Sequence, residues 1–307
     1  MIRTAATALM IGRYDWHEQA APAAMFARRL DRVWKEAAEG DEILLIHGDR
    51  AEFSMLAWLT HFTPKLGSAL ALFRRDDRPE LLFSGGGGMA ESARRLTWIE
   101  AVRALSEPER DLVGLAGRRV CLLGAAALSH RMHRAILAAI GPRGRLRLID
   151  DAVLPWRRRK EAGEIVHLRT AARALGAFWA AAREQGPTAV AALRAAYAAG
   201  AHEVRIAAHP AGTHVAVRAG LYWAQGWQGG GDPATLARAG EAARAGAVLS
   251  VPEGGYVGGI GLSLCEPPGP GAPLAVGDVL SLRLAGGSAM LLVGEGGPEW
   301  LWRSAPG

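Results

Sequence analysis

An α/β fold, with some segregation of helices and strands (α+β), is predicted by three features of the 307-residue sequence. Short apolar runs such as Ile43-Leu44-Leu45-Ile46 and Val120-Cys121-Leu122-Leu123 alternate with segments of helical period in the first half. A long amphipathic stretch follows, with Ile165, Leu168, Ala172, Leu175 and Trp179 on one face. The last third turns to strand-like runs separated by glycines. Buried strands read as continuous apolar runs and helices as a 3.6-residue repeat, so this succession implies layered sheets covered by helices.

Taken in order, Ala24 to Glu39 places Met25, Leu30, Val33 and Trp34 at near-helical spacing. The strand 43–46 comes next, with His47-Gly48-Asp49 as turn chemistry closing it. Ser68 to Phe73 and Glu80 to Phe83 read as strands around the polar Arg74-Arg75-Asp76-Asp77-Arg78 turn. Gly85 to Gly88 lacks a following Lys-Ser/Thr, so a phosphate-cradling loop is not expected there. Arg119 to Leu123 is a further strand, His130 to Ile140 a helix, and Leu146 to Asp150 closes the region. From Trp156 the character changes, which sets a domain boundary near residue 155 and predicts domains 1–155 and 156–307. Glu164 to Arg183 is the long helix, and Gly186-Pro187-Thr188 starts a second one reaching Ala199. Strands are expected at Val204 to Ala208 and Val215 to Tyr222, then a helix carrying Leu236 and Ala243, then a terminal sheet from Tyr256 to Val293.

The net charge is +6, yet the basic residues are almost all arginine, with lysine only at Lys35, Lys65 and Lys160. With abundant Ala and Gly, that is the composition of a GC-rich coding sequence. No basic run alternates with aromatics as single-strand binding requires, so a nucleic-acid partner is not expected. Arg157-Arg158-Arg159-Lys160 reads as a solvated interdomain edge. Cys121 and Cys265 are too far apart in pattern for a disulfide framework or a zinc site, which fits a reduced cytoplasm. Ala5 to Gly12 is too short to span a bilayer and lacks a clean cleavage pattern, so neither a signal peptide nor a membrane association is expected.

Near the C-terminus stand Gly258-Gly259-Ile260-Gly261-Leu262, Cys265-Glu266-Pro267-Pro268, and Val276-Gly277-Asp278-Val279-Leu280-Ser281-Leu282-Arg283. This order resembles the active-site half of the pita-bread family of methionine and Xaa-Pro aminopeptidases, prolidase and creatinase. Lys160-Glu161 with Glu164-Ile165 and Leu168-Arg169 resembles the entry into that family's catalytic domain, and Gly186-Pro187-Thr188 the start of its second helix. Val215 to Gly220, with Gly226-Trp227 beyond, resembles the strand pair that carries two metal-binding aspartates, and Val293 to Leu301 the terminal strand. Trp58 to Gly67 resembles the aromatic turn of a creatinase-type N-terminal domain. In creatinase-like dimers that turn reaches the partner's active site, which would give Phe62 and Lys65 a substrate-binding role in a homodimer.

The resemblance also implies a dinuclear metal site, and the residues depart from it. Where it places aspartates stand Arg218 and Gln228-Gly229; where it places histidine, Gly258; where it places glutamates, Arg283 and Ser288. One positive charge about 4 Å from a divalent ion costs about 8 kcal/mol at an effective dielectric near 20. No metal and no cofactor are therefore expected, in a shortened pita-bread domain that follows a creatinase-like N-terminal domain. Arg218 and Arg283 either grip an anionic substrate, as planar donor forks do, or point outward or pair with Glu266 and Asp278. Tyr222, Trp223 and Trp227 line an aromatic pocket or pack the sheet. His202, His209 and His214 crowd one connection, which makes His209 and His214 candidate bases. Tyr256 lies between glycines that allow close approach of a ligand. Cys265 is a candidate thiol or an inert one. Two functions follow: a metal-independent hydrolase or lyase acting on a small anionic amide- or amino-acid-like substrate in bacterial specialised metabolism, or an inactive pita-bread pseudoenzyme serving as binding module or partner subunit.

Overall fold

The computed structural model describes residues 15–65, 67–85, 89–185, 190–209, 212–228, 233–249, 256–264, 266, 268–269, 271–284 and 287–304. These fall into two units that meet in sequence between Leu154 and Pro155.

In the first unit, helix α1 (Ala23–Glu36) precedes strand β1 (Ile43–Asp49), helix α2 (Ser54–Thr60), strands β2 (Ser68–Phe73) and β3 (Glu80–Phe83), and the short helix α3 (Ala90–Arg94). Strand β4 (Ala101–Ala104), helix α4 (Pro108–Asp111), strand β5 (Arg119–Leu123), helix α5 (His130–Ile140), strand β6 (Arg145–Leu148) and helix α6 (Asp150–Val153) complete it. The strands form one mixed sheet in the order β4-β3-β2-β1-β5-β6. β1 pairs antiparallel with β2 and parallel with β5. Successive β1 residues Ile43, Leu44, Leu45 and Ile46 are all buried, so both faces of the sheet are covered. Ile43 and Leu45 join Leu70, Leu122 and Ile136 in one apolar cluster. α5 begins where Ser129 accepts the Met132 amide, a side-chain N-cap. Where the sequence predicts a turn at His47-Gly48-Asp49, β1 instead continues, because Leu70, Ala69 and Ser68 of β2 supply ladder partners for all three.

The second unit opens with helix α7 (Ala162–Gln185) and helix α8 (Val190–Ala198). Strands β7 (Glu203–His209), β8 (Gly212–Ala219) and β9 (Tyr222–Gln228) form a three-stranded antiparallel sheet. Helix α9 (Pro233–Ala242) leads to strands β10 (Tyr256–Gly259), β11 (Val279–Leu284), β12 (Gly287–Gly294) and β13 (Gly297–Arg303), a second antiparallel sheet in sequence order. Leu168, Ala172, Leu175 and Phe178 of α7 are fully buried, as are Val215 and Val217 of β8. The strand predicted over Val215 to Tyr222 is in fact broken after Ala219. Ala219 pairs with Tyr222 across a two-residue turn whose first residue, Gly220, has φ +58°. Glycine at that position is what tight hairpins of this hand require.

Among the described residues, no helix is long and apolar enough to cross a membrane.

Candidate functional site

Strand alternation sorts the predicted residues before any side chain is considered. On β8 and β9 the directly opposed pairs are His214 with Trp227, Ala216 with Gln225, and Arg218 with Trp223. These six share one face, while the intervening Val215, Val217 and Ala219 are buried on the other. On the second sheet Tyr256 opposes Arg283 and Gly258 opposes Ser281. Across β11 and β12, Arg283 opposes Ser288 and Ser281 opposes Met290. The two polar faces are tied at one point: the Trp227 amide donates to Ser288 Oγ at 2.9 Å, and that hydroxyl donates to the Trp227 carbonyl at 3.1 Å.

Trp227 is the centre of the resulting cluster. His214 stacks on it with ring centroids 4.5 Å apart, Tyr256 is tilted against it at 6.2 Å, and the Arg283 guanidinium lies 5.6 Å from the ring. A cation over an indole face is attracted by its quadrupole. Arg283 is half-buried and has no carboxylate partner among the described residues.

His214 is oriented by Gln225. The Gln225 amide nitrogen donates to the Leu264 carbonyl at 3.1 Å, which turns its oxygen toward His214 Nε2, also at 3.1 Å. Nε2 therefore carries the proton, and Nδ1 keeps the lone pair. Burial, helped by the Arg283 charge, holds the His214 pKa below its ordinary 6.5 against the opposing effect of the Gln225 bond.

Other predicted residues are committed elsewhere. Arg218 is 4% exposed and pairs with Glu203 at 3.0 Å, not with Glu266 or Asp278. Glu203 also takes Arg205 at 2.7 Å, and both guanidiniums lie over Trp223. Tyr222 is on the α7 side, donating to Glu164 at 2.8 Å and stacking on His167. His202 accepts the Gly220 amide at 2.9 Å and so braces the hairpin. His209 ends β7 opposite Gly212. In the first unit, Phe62 is 3% exposed with its ring 6.4 Å from Phe83, so its side chain is committed to its own core; Lys65 is half-buried. Cys265 lies outside the described residues. Cys121 is buried in β5, and desolvation pushes its thiol up to about 12, which makes it an inert core residue.

The Arg157 to Lys160 cluster, expected to be a solvated edge, is instead largely buried. Glu266, itself enclosed, takes both Arg157 and Lys160, and Arg158 grips Asp278 at 2.5 Å. The two cations hold the Glu266 carboxyl down at about 2, despite a burial that by itself would raise it. Sequence reasoning missed Gln225 and Ser281. The signal for Ser281 was present, since it alternates with Arg283 on one strand.

Among the described residues, no group of three or more His, Cys, Asp and Glu side chains is placed to hold a metal ion. No protein-family model matches the chain, and no curated protein matches it in sequence. Solved structures do match in fold. Prolidase from Pyrococcus furiosus superposes with a TM-score of 0.69 at 16% identity, covering 92% of this chain and 99% of that one. X-Pro aminopeptidase from Thermotoga maritima MSB8 gives 0.66 at 18% identity, covering 92% and 98%. Aminopeptidase PepP of Pseudomonas aeruginosa gives 0.65 at 14%, covering 91% and 94%. The chain thus has the mixed α/β pita-bread fold of the prolidases and X-Pro aminopeptidases.

Proposed function

We propose that this protein is a metal-independent enzyme that binds a small anionic, amide- or amino-acid-like molecule on the face shared by Trp227, His214, Tyr256 and Arg283. The observation that carries the reading is Arg283: a half-buried guanidinium stacked on Trp227, with no carboxylate among the described residues to neutralise it. A fork of N–H donors in that condition is suited to a ligand carboxylate.

The fit to a dinuclear metal centre is poor. The positions that would hold two divalent cations carry Arg218, Arg283, Ser288 and the side-chain-free Gly258. Arg218 is already paired with Glu203, and Arg283 lies over an indole ring. A donor set of two guanidiniums and a hydroxyl cannot offset four positive charges, so no step is routed through a metal here. The chemistry falls to side chains. With an amide, Arg283 holds the carboxylate, His214 Nδ1 takes a proton from the water whose oxygen adds to the carbonyl carbon, and the Tyr256 phenol gives one to the nitrogen as the C–N bond breaks, the imidazolium then reprotonating the phenolate. Trp227 and Tyr256 supply flat apolar walls that keep bulk water from the bound ligand. His209 is retained as the alternative base, on its place at the end of β7 alone.

A second reading, an inactive binding module or partner subunit, is favoured by the number of predicted residues with internal partners. Arg218, Trp223 and Tyr222 are all engaged within the protein. A homodimer belongs to either reading.

Calorimetry with small carboxylates, followed by turnover assays on N-acyl amino acids, separates them. The enzyme reading expects binding that Arg283→Met removes, and turnover that His214→Asn removes. Binding without turnover of any such amide selects the inactive module. Carboxylate affinity unchanged in Arg283→Met defeats the anionic site altogether.

A further inference from the structure

Ser281 is an anomaly in this sheet. It is fully buried, and its hydroxyl has no hydrogen-bond partner among the described residues. Buried hydroxyls are nearly always satisfied, because leaving one orphaned forfeits its hydration with nothing in return. Its position explains why its strand neighbours offer none. The residues directly opposite are Gly258 on β10, which has no side chain, and Met290 on β12, a thioether. Directly opposed residues in an antiparallel pair are the nearest side-chain neighbours, so neither flank offers Ser281 a strong acceptor.

The space beside it is held by Tyr256. A Cβ built on Gly258 would run into the Tyr256 phenol oxygen and its ring. Glycine at 258 is therefore what lets the phenol lie against the strand. Arg283 is two residues from Ser281 on the same strand and the same face. A ligand carboxylate on Arg283 thus has a glycine gap and an unused hydroxyl within a few bonds along the sheet.

Building on the anionic site proposed above, we propose that Ser281 and the gap over Gly258 form a second subsite, which takes the carbonyl of a ligand whose carboxylate sits on Arg283, the Tyr256 phenol moving aside to admit it. The ligand class is thereby narrowed to acids with a carbonyl oxygen a few bonds from the carboxylate, as in N-acyl amino acids and keto acids. Ser281 is a specificity residue in this scheme, not a catalytic one.

Three acids of equal chain length test it: N-acetylglycine, 4-oxopentanoate and pentanoate, of which only the last lacks the internal carbonyl. Calorimetry on the full chain is expected to show the two carbonyl acids binding about tenfold tighter than pentanoate, the worth of one hydrogen bond of about 1.4 kcal/mol. Ser281→Ala is expected to fold with an undiminished thermal midpoint and to bind all three acids alike. Gly258→Ala fills the gap and presses on the Tyr256 phenol, and is expected to abolish the preference for the two carbonyl acids over pentanoate. No preference in the wild type, a preference that survives Ser281→Ala, or a Ser281→Ala chain that fails to fold would each overturn the subsite. Arg283→Met reports separately. Loss of all three acids there upholds the anionic site whatever Ser281 does, and retention of all three ends it. Absence of binding by every acid overturns both proposals.

Discussion

Glu266 and Arg283 belong to the same unit and stand within one run of the chain, yet their surroundings are opposite in kind. Glu266 is enclosed with Arg157 and Lys160, and beside it Asp278 is matched to Arg158. Arg283 has an indole ring, a phenol and an imidazole around it, and no carboxylate among the described residues. The first arrangement is what a fold needs: once two charges have left water, each must be answered by the other. The second leaves a charge unanswered beside a base of fixed tautomer. Structure tolerates that only at modest burial, and it is the condition a ligand can complete.

The contrast is broken most severely at Glu266. Glu266→Gln strands two enclosed cations and is expected to cost about 3–5 kcal/mol in urea unfolding. The same carboxyl sets a pH dependence. Its folded-state pKa is depressed from 4.5 to about 2, so its contribution is whole above pH 4.5 and is lost as pH falls through that window to about 2. Acid unfolding curves of the wild type should steepen there, and those of Glu266→Gln should not. Next in size is Arg283→Met. A small carboxylate should bind it roughly 10–100-fold more weakly, as for a charge-assisted bond of about 1.5–3 kcal/mol. Its urea stability should change by no more than about 1 kcal/mol, the scale of the lost contact with Trp227.

Tyr222→Phe removes the hydroxyl that reaches Glu164 and should cost about 1 kcal/mol of stability, with carboxylate affinity unaltered. A loss of affinity would move Tyr222 back into the site. The smallest effect is on His214. Its imidazole should titrate below 6.5 by NMR, and Arg283→Met should move the midpoint upward by removing a neighbouring positive charge. Because His214 resists protonation when folded, its contribution to stability is full above pH 6.5 and declines as pH falls below it. A midpoint that ignores Arg283→Met would separate the two residues.

Elements with a strong internal pattern were readable from the chain: Ser68–Phe73, Glu80–Phe83, Arg119–Leu123 and His130–Ile140 lie within the bounds that apolar period alone suggests. What failed depended on a partner distant in sequence. His47-Gly48-Asp49 carries turn residues, but a ladder with β2 outweighs local preference. The sequence leaves Arg218 open between a ligand and Glu266 or Asp278, because its true partner Glu203, fifteen residues earlier, comes opposite it only once β7 and β8 are in register. The basic run at 157–160 looked solvated for the same reason, since its acidic partners are Glu266 and Asp278. Of the predicted site, His214, Trp227, Tyr256 and Arg283 do converge: the histidine cluster, the aromatic set, the flanking glycines and the family resemblance each point to one of them. Gln225 gave no signal, because an amide acquires its meaning from what it is turned toward.

One edge strand of the first unit's sheet, β6, is only four residues long and reads Arg145-Leu146-Arg147-Leu148. It pairs with β5 along one side, and Leu148 is 59% exposed. Short length and alternating guanidiniums are how natural sheets discourage a neighbour's strand from adding on. Arg147 is drawn back to Glu42 and the Ala37 carbonyl, so the charge left at that margin is the exposed Arg145, and Arg145→Val is expected to raise self-association at high concentration, read by light scattering.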